Sequence, residues 1–135
     1  MGSLPPQGNT GNFELIKSNE NISVGTEYTT CFVVKVFDVS DSVFTIQNSS
    51  ETESLEYKVY ATPKTTSSVP NNSDPSWVNI IDRSEQPDNY DHEKSKVISP
   101  NGVFYESFSN KWGWIIIIMR STGNPLVAKV WYRGK

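Results

Sequence analysis

The sequence has little of the chemistry on which most enzymes and metalloproteins depend. It contains one cysteine, Cys31, and one histidine, His92, among 135 residues. A single cysteine excludes a disulfide within the chain and a cysteine-based zinc cluster, so the fold depends on packing alone. Glycine occurs singly at turns, so there is no glycine-rich phosphate loop. We therefore expect no metal and no cofactor.

The surroundings of the single histidine allow more than one interpretation. Asp88, Asp91, His92 and Glu93 are close in sequence and would be the ligands of a metal site, or Asp91, His92 and Glu93 the active site of a small hydrolase. Structural zinc needs four N or S ligands, and calcium loops use a different spacing with a glycine turn. A solvated acidic loop is the favoured interpretation. Cys31 lies in an apolar strand, which is typical of a buried thiol, so we predict no catalytic residue and no enzyme.

Neither charge nor hydropathy indicates a nucleic acid or a membrane as partner. The net charge is −3, with both signs mixed along the chain, which gives no basic surface for DNA or RNA. Residues 112–119 include four consecutive isoleucines, but a membrane-spanning helix needs about 20 apolar residues. The first residues lack the pattern of a signal peptide, so secretion by that route is not expected.

Composition divides the chain into two regions. Residues 1–12 are mostly Gly, Pro, Asn, Gln and Thr, which predicts a flexible N-terminal arm, or a cloning remnant at 1–3 followed by an idle tail. Over residues 13–135 the apolar side chains recur with a period of two, which indicates a single all-β domain. The alternation is most regular at residues 55–62, where it predicts that Glu56 and Lys58 face water. We predict an antiparallel β-sandwich or jelly roll of about eight strands, with long polar loops at 63–76 and 82–93 where partner contacts would lie.

The C-terminal third is predicted to be an antiparallel meander of about four strands. Pro100, Asn101 and Gly102 separate two short apolar segments, which is a strong hairpin signal. The isoleucine stretch would then pair with a neighbour on each side. Because its four isoleucines leave no polar face, both of its sides need cover, from another segment or from another subunit.

Apolar surface on the two most hydrophobic strands, together with a tryptophan of the last strand, predicts self-association. The predicted interface residues are Phe32, Val34, Trp112, Trp114, Ile116, Ile118 and Trp131. Aromatic side chains fill cores and interfaces, but exposed rings also stack on sugars. A carbohydrate-binding or adhesin-like β-sandwich module, with stacking on Trp112 or Trp131, is therefore the alternative.

The polar arm, the long Ser/Thr/Asn loops and the residue order of two segments suggest a resemblance to a known class of proteins. The segments are Phe44-Thr45-Ile46-Gln47-Asn48 and Tyr57-Lys58-Val59-Tyr60-Ala61-Thr62, followed by Trp77. In these features the chain resembles small all-β virion proteins of bacteriophages and archaeal viruses, especially capsid decoration proteins. The resemblance implies a non-enzymatic virion protein, present in the host cytoplasm before assembly. It would bind a capsid protein lattice, often as a homotrimer, and bridge the subunits of the shell.

Overall fold

The computed structural model describes residues 14–81, 95–109 and 111–135, and within these residues the chain forms nine β-strands and no helix. No described segment is a helix long and apolar enough to cross a membrane. The arm predicted over residues 1–12 lies outside the described part. The strands are β1 (Leu15–Val24), β2 (Thr29–Lys35), β3 (Ser42–Asn48), β4 (Leu55–Thr62), β5 (Val78–Asn79), β6 (Lys96–Ile98), β7 (Val103–Phe108), β8 (Trp114–Ser121) and β9 (Leu126–Gly134).

The strands form two antiparallel sheets around one core. Sheet A has the order β1-β9-β3-β7, and sheet B has the order β2-β8-β4-β5 with β6 also paired to β4. The short strands β5 and β6 share one edge of β4, since β6 pairs with its beginning and β5 with its end. Strands β1 to β4 and β6 to β9 alternate between the sheets, which is the connectivity of a jelly roll. The predicted fold class is confirmed.

The core follows from the alternation of side chains along each strand. Phe44 and Ile46 of β3 point between the sheets and are buried, whereas Val43 points outward and is exposed. The ring of Phe44 lies 4.8 Å from that of Tyr132 in sheet A and 6.1 Å from that of Phe32 in sheet B, measured between centroids. Aromatic packing therefore connects the two sheets directly.

A buried polar bridge also joins the sheets. Tyr57 of β4 donates a hydrogen bond of 2.5 Å to the Glu106 carboxylate of β7, and Lys96 Nζ of β6 lies 2.7 Å from the same oxygen. Burial, and then the neighbouring carboxylate, raise the pKa of Tyr57 well above its usual value. The phenol thus stays protonated and remains a donor, so the bridge is a structural link that satisfies the buried carboxylate.

The meander predicted for the C-terminal third is wrong, although the turn at its start is present. Gly102 N donates to Ser99 O over 2.8 Å, and Asn101 has a φ of 62°, which together with Pro100 defines a type II turn. Type II turns splay the strands that flank them, because their twist does not match that of a hairpin. Accordingly β6 pairs with β4 and β7 with β3, so the turn leads from one sheet to the other.

The side chain of Asn48 holds this crossing in place. It is fully buried at the end of β3, and its amide nitrogen lies 2.7 Å from Glu53 O, 3.1 Å from Ile98 O and 3.3 Å from Ser99 O. Its carbonyl oxygen accepts from Ser50 N over 3.0 Å. One side chain thereby satisfies backbone groups from two loops and from the end of β6.

We expect Asn48→Ala to lower the free energy of unfolding by at least about 2 kcal/mol, because it leaves several buried backbone groups without a partner. Chemical denaturation measures the change. Asn71→Ala is the matched control, since the Asn71 side chain is exposed and the described bonds of this residue use its backbone carbonyl. Equal stability of the two variants would contradict the assignment.

Candidate functional site

The isoleucine strand β8 is buried on both faces. Its inward side chains Ile115, Ile117 and Met119 are part of the core between the sheets. Its outward side chain Ile116 is only 4% exposed, although it lies on the outer face of sheet B. Strand β8 also has two neighbours, β2 and β4. The sequence predicted both a covered outer face and two neighbouring strands, and the structure shows both.

The cover is a loop of the same chain, residues 63–77. Its first residues cross the start of β8, where a Cβ added to Gly113 would lie 1.7 Å from Lys64 O. The indole nitrogen of Trp114 donates to Thr66 O over 3.1 Å. Further along, the Asn72 amide lies 3.4 Å from Thr30 Oγ1 on β2. The loop therefore spans sheet B from β4 to its opposite edge.

The covering loop is braced by bonds within itself. Lys64 Nζ lies 2.7 Å from the Asp74 carboxylate, and Ser76 N donates to the other Asp74 oxygen over 2.9 Å. The bond from Lys64, followed by the bonds from Ser76, lowers the pKa of Asp74 to about 2. The Trp77 indole donates to Asn71 O over 2.8 Å, which fixes the plane of the ring.

A second outer-face cluster surrounds Tyr28, just before β2. Lys58 Nζ and the Arg120 guanidinium carbon each lie 4.7 Å from the centre of its ring, a cation–π arrangement. Arg120 also pairs with Glu56 at 2.6 Å, and Ser95 Oγ donates to Glu56 over 2.5 Å. Burial alone would raise the pKa of Glu56, but the bonds from Ser95 and Arg120 outweigh burial and lower this pKa below its usual value.

This cluster corrects one expectation from the strand pattern of β4. The alternation of Glu56 and Lys58 with apolar residues indicates side chains that face water. Lys58 is instead only 7% exposed, because the ring of Tyr28 lies against its ammonium group. A long lysine side chain of this kind packs its aliphatic part while its charge contacts an aromatic face.

Between the covering loop and Tyr28 a cleft of about 240 Å³ remains open on the outer face of sheet B. Ile116 and Ile118 of β8 lie side by side with residues of β4 on this face. The lining residues are all uncharged, and three of them are aromatic. They are Tyr28, Thr29, Thr30, Tyr60, Asn72, Trp77, Ile116 and Ile118.

The outer face of sheet A is different, because many of its apolar side chains are exposed. Tyr105 is 73% exposed and lies in one cross-strand row with Thr45 and Trp131. The other exposed apolar residues on this face are Ile16, Val43, Val103 and Val127. Ion pairs and polar bonds lie toward one edge, where Arg133 pairs with Glu14 and Trp131 donates to Glu20 over 3.2 Å.

The structure separates the seven predicted interface residues. Phe32 and Val34 are in the core, and Trp112 packs against that core from its margin. Trp114 and Ile116 are buried outside the core cluster, and Ile118 lines the cleft. Only Trp131 of the seven lies on the exposed face of sheet A. An interface role for these residues stays a prediction, and the exposed apolar surface lies elsewhere than on β8.

Two further places where the sequence offers reactive side chains are Cys31 and the acidic segment around His92. Cys31 lies at a β-bulge in β2, and burial raises the pKa of its thiol, as expected for a packed cysteine. The segment with Asp88, Asp91, His92 and Glu93 lies outside the described residues. Within residues 14–81, 95–109 and 111–135, no three His, Cys, Asp or Glu side chains form a group that could hold a metal ion.

Comparison with known proteins gives no family for this chain. No family model matches the sequence, and no curated protein matches it.

Of the cleft residues, the sequence analysis singles out Ile116 and Ile118, as predicted interface residues, and it also singles out the loop that forms one wall. Residues 63–76 were predicted to be a surface loop suited to partner contacts, and this loop supplies Asn72 beside Trp77. The sequence gives little indication that the aromatic cleft residues lie together, because Tyr28, Tyr60 and Trp77 come from three distant segments. Only the pairing of β2, β8 and β4 brings them together.

We expect Gly113→Ala to displace the covering loop, because the added methyl group has no room beside Lys64 O. Overpacking of this kind costs about 1–3 kcal/mol. Denaturant unfolding and the rate of proteolysis within residues 63–77 measure the effect. Gly25→Ala is the control, since a Cβ there meets nothing within 4 Å. If both variants behave like the wild type, the loop does not depend on this contact.

We also expect the ion pair between Lys64 and Asp74 in the covering loop to stop contributing to stability in acid. The pKa of Asp74 is about 2 in the folded protein, whereas that of an unperturbed aspartate is about 3.9. The ionised Asp74 carboxylate therefore contributes its full stabilisation above about pH 4. This stabilisation is lost as the pH falls from about 4 toward about 2. The difference in melting temperature between wild type and Asp74→Asn should therefore shrink over this range, and Lys64→Met should behave like Asp74→Asn. A difference that is constant from pH 5 to pH 2 would contradict the pairing.

Proposed function

We propose that the protein is a non-enzymatic structural component of a virion, which self-associates through the outer face of sheet A and reinforces a capsid lattice. The observation that carries the proposal is the row of exposed apolar and aromatic side chains on that face, with Tyr105 and Val103 more than half exposed. Large exposed apolar patches on soluble domains mark interaction surfaces.

The size of the face fits a modest interface. Strands lie about 4.8 Å apart and rise about 3.4 Å per residue, so four strands of about seven residues cover roughly 450 Å². Two copies that meet there would bury about 900 Å², close to the roughly 1,000 Å² expected of a biological contact. We therefore expect association in the micromolar range, which the repeated contacts of a lattice would strengthen.

The composition of the face suits subunit contacts. Tyr and Trp are enriched in interfaces, and charged residues are depleted from their centres. Here Tyr105 and Trp131 lie in the central row with Thr45 between them, while Arg133 and Glu14 form their ion pair near the β1 edge. The aromatic row thus has the composition of an interface centre, and the charged side chains of β9 on this face, Lys129 and Arg133, lie on either side of that row.

The fold is compatible with the proposal, and the described chemistry supports it. The jelly roll is shared by viral capsid domains and by lectins, so the exposed face rather than the fold carries the argument. The carboxylates of Glu56 and Glu106 are each held by a cation and a hydroxyl group. Such satisfied carboxylates stabilise a fold and are poorly suited to proton transfer.

We expect the wild-type protein to self-associate at micromolar concentration in size-exclusion chromatography with light scattering. Val103→Glu should weaken association at least about tenfold, since it places a charge on the exposed face. Val69→Glu is the matched control, because Val69 is an exposed valine of the covering loop and the variant should associate like wild type. A monodisperse monomer, or equal effects of the two changes, would overturn the proposal.

A further inference from the structure

The cleft on sheet B is shaped before any ligand arrives. Trp77 is held by its bond to Asn71 O, and Asn72 connects the loop to Thr30 on β2. On the other side, Tyr28 is held against Lys58 and Arg120. A site with fixed walls needs little ordering when a ligand binds, so even a small ligand can gain measurable affinity.

The lining of the cleft selects for a ligand with two kinds of surface. Ile116, Ile118 and the aromatic residues offer apolar contact, whereas Thr29, Thr30 and Asn72 offer hydroxyl and amide groups. No charged side chain is among the lining residues. The complementary ligand is therefore neutral, with an apolar face and several hydroxyl groups.

The volume of the cleft limits the size of the ligand. The cleft has a volume of about 240 Å³. This volume lies just below the lower end of drug-sized sites, about 300 Å³. The cleft thus suits one six-membered ring with its substituents, and the rest of a longer ligand would extend beyond it into solvent.

We propose that this cleft binds a single neutral pyranose, as the terminal residue of a glycan. The C–H face of the sugar packs on the apolar and aromatic lining, and its hydroxyl groups bond to Asn72 and to the threonines. An asparagine side chain carries two amide hydrogens and a carbonyl oxygen, and the bond to Thr30 uses one of those hydrogens. This site is separate from the face of sheet A, so it stands or falls independently of the proposed self-association.

Saturation-transfer NMR with the intact protein at neutral pH tests the proposal. The probes are the methyl glycosides of glucose, galactose, mannose and N-acetylglucosamine, with methyl glucuronide and p-cresol as comparison ligands. We expect at least one neutral glycoside to bind with millimolar affinity. Asn72→Ala, at an exposed loop position, should weaken that binding at least about tenfold, and so should Trp77→Ala.

Asn71→Ala is the matched control, because the Asn71 side chain is exposed, the described bonds of this residue use its backbone carbonyl, and it is not among the lining residues of the cleft. The affinity of this variant for the glycoside should equal that of the wild type. Binding of none of the neutral glycosides would overturn the proposal, as would equal binding by wild type and Asn72→Ala. Binding of p-cresol alone would also overturn it and would identify the cleft as a pocket for an aromatic side chain. Binding of the glucuronide alone would show that the cations behind Tyr28 select an acidic ligand instead.

Discussion

The need to bury strand β8 on both faces is the constraint on which the rest of the structure depends. Its inner side is covered by the opposite sheet, but the isoleucines on its outer side would face water without a second layer. The loop of residues 63–77 supplies that layer, and it can lie close enough only because residue 113 is glycine. Since the loop and Tyr28 cover sheet B incompletely, they leave a cleft there. Sheet A, which has no such loop among the described residues, keeps an open face.

The two outer surfaces differ in shape and in chemistry. The open face of sheet A is broad, and its exposed apolar side chains are Ile16, Val43, Val103, Tyr105 and Val127, which suits the proposed contact with another folded surface. The cleft of sheet B is concave and uncharged, and its walls are fixed by hydrogen bonds and cation–π contacts. Because they lie on opposite sheets of the sandwich, a partner on one surface leaves the other accessible. A subunit could thus be fixed in an assembly by sheet A while its cleft remained open to solvent.

Much of the fold could be predicted from the sequence, but strand pairing and the cover of β8 could not. A period of two places the strands well, because alternate burial is a local property of each segment. Pairing is not local, and the turn at Pro100 and Asn101 reverses the chain without fixing which sheet the next strand joins. The covering loop has no apolar periodicity that could reveal its position, and its described bonds to sheet B use the backbone oxygen of Thr66 and the side chain of Asn72. The packing of Lys58 depends on Tyr28, thirty positions away in the sequence.

The alternation of strands between the sheets has a consequence for how the molecule comes to fold. Strand β9 is the central partner of both β1 and β3, and β8 is the partner of both β2 and β4. During synthesis the first four strands therefore leave the ribosome before β8 and β9, with which they mainly pair, have been made. Until then their pairing edges stay open. Such non-local topologies fold slowly, and open strand edges are prone to pair with other chains. Until β8 and β9 have been added, aggregation therefore competes with the correct pairing of the earlier strands.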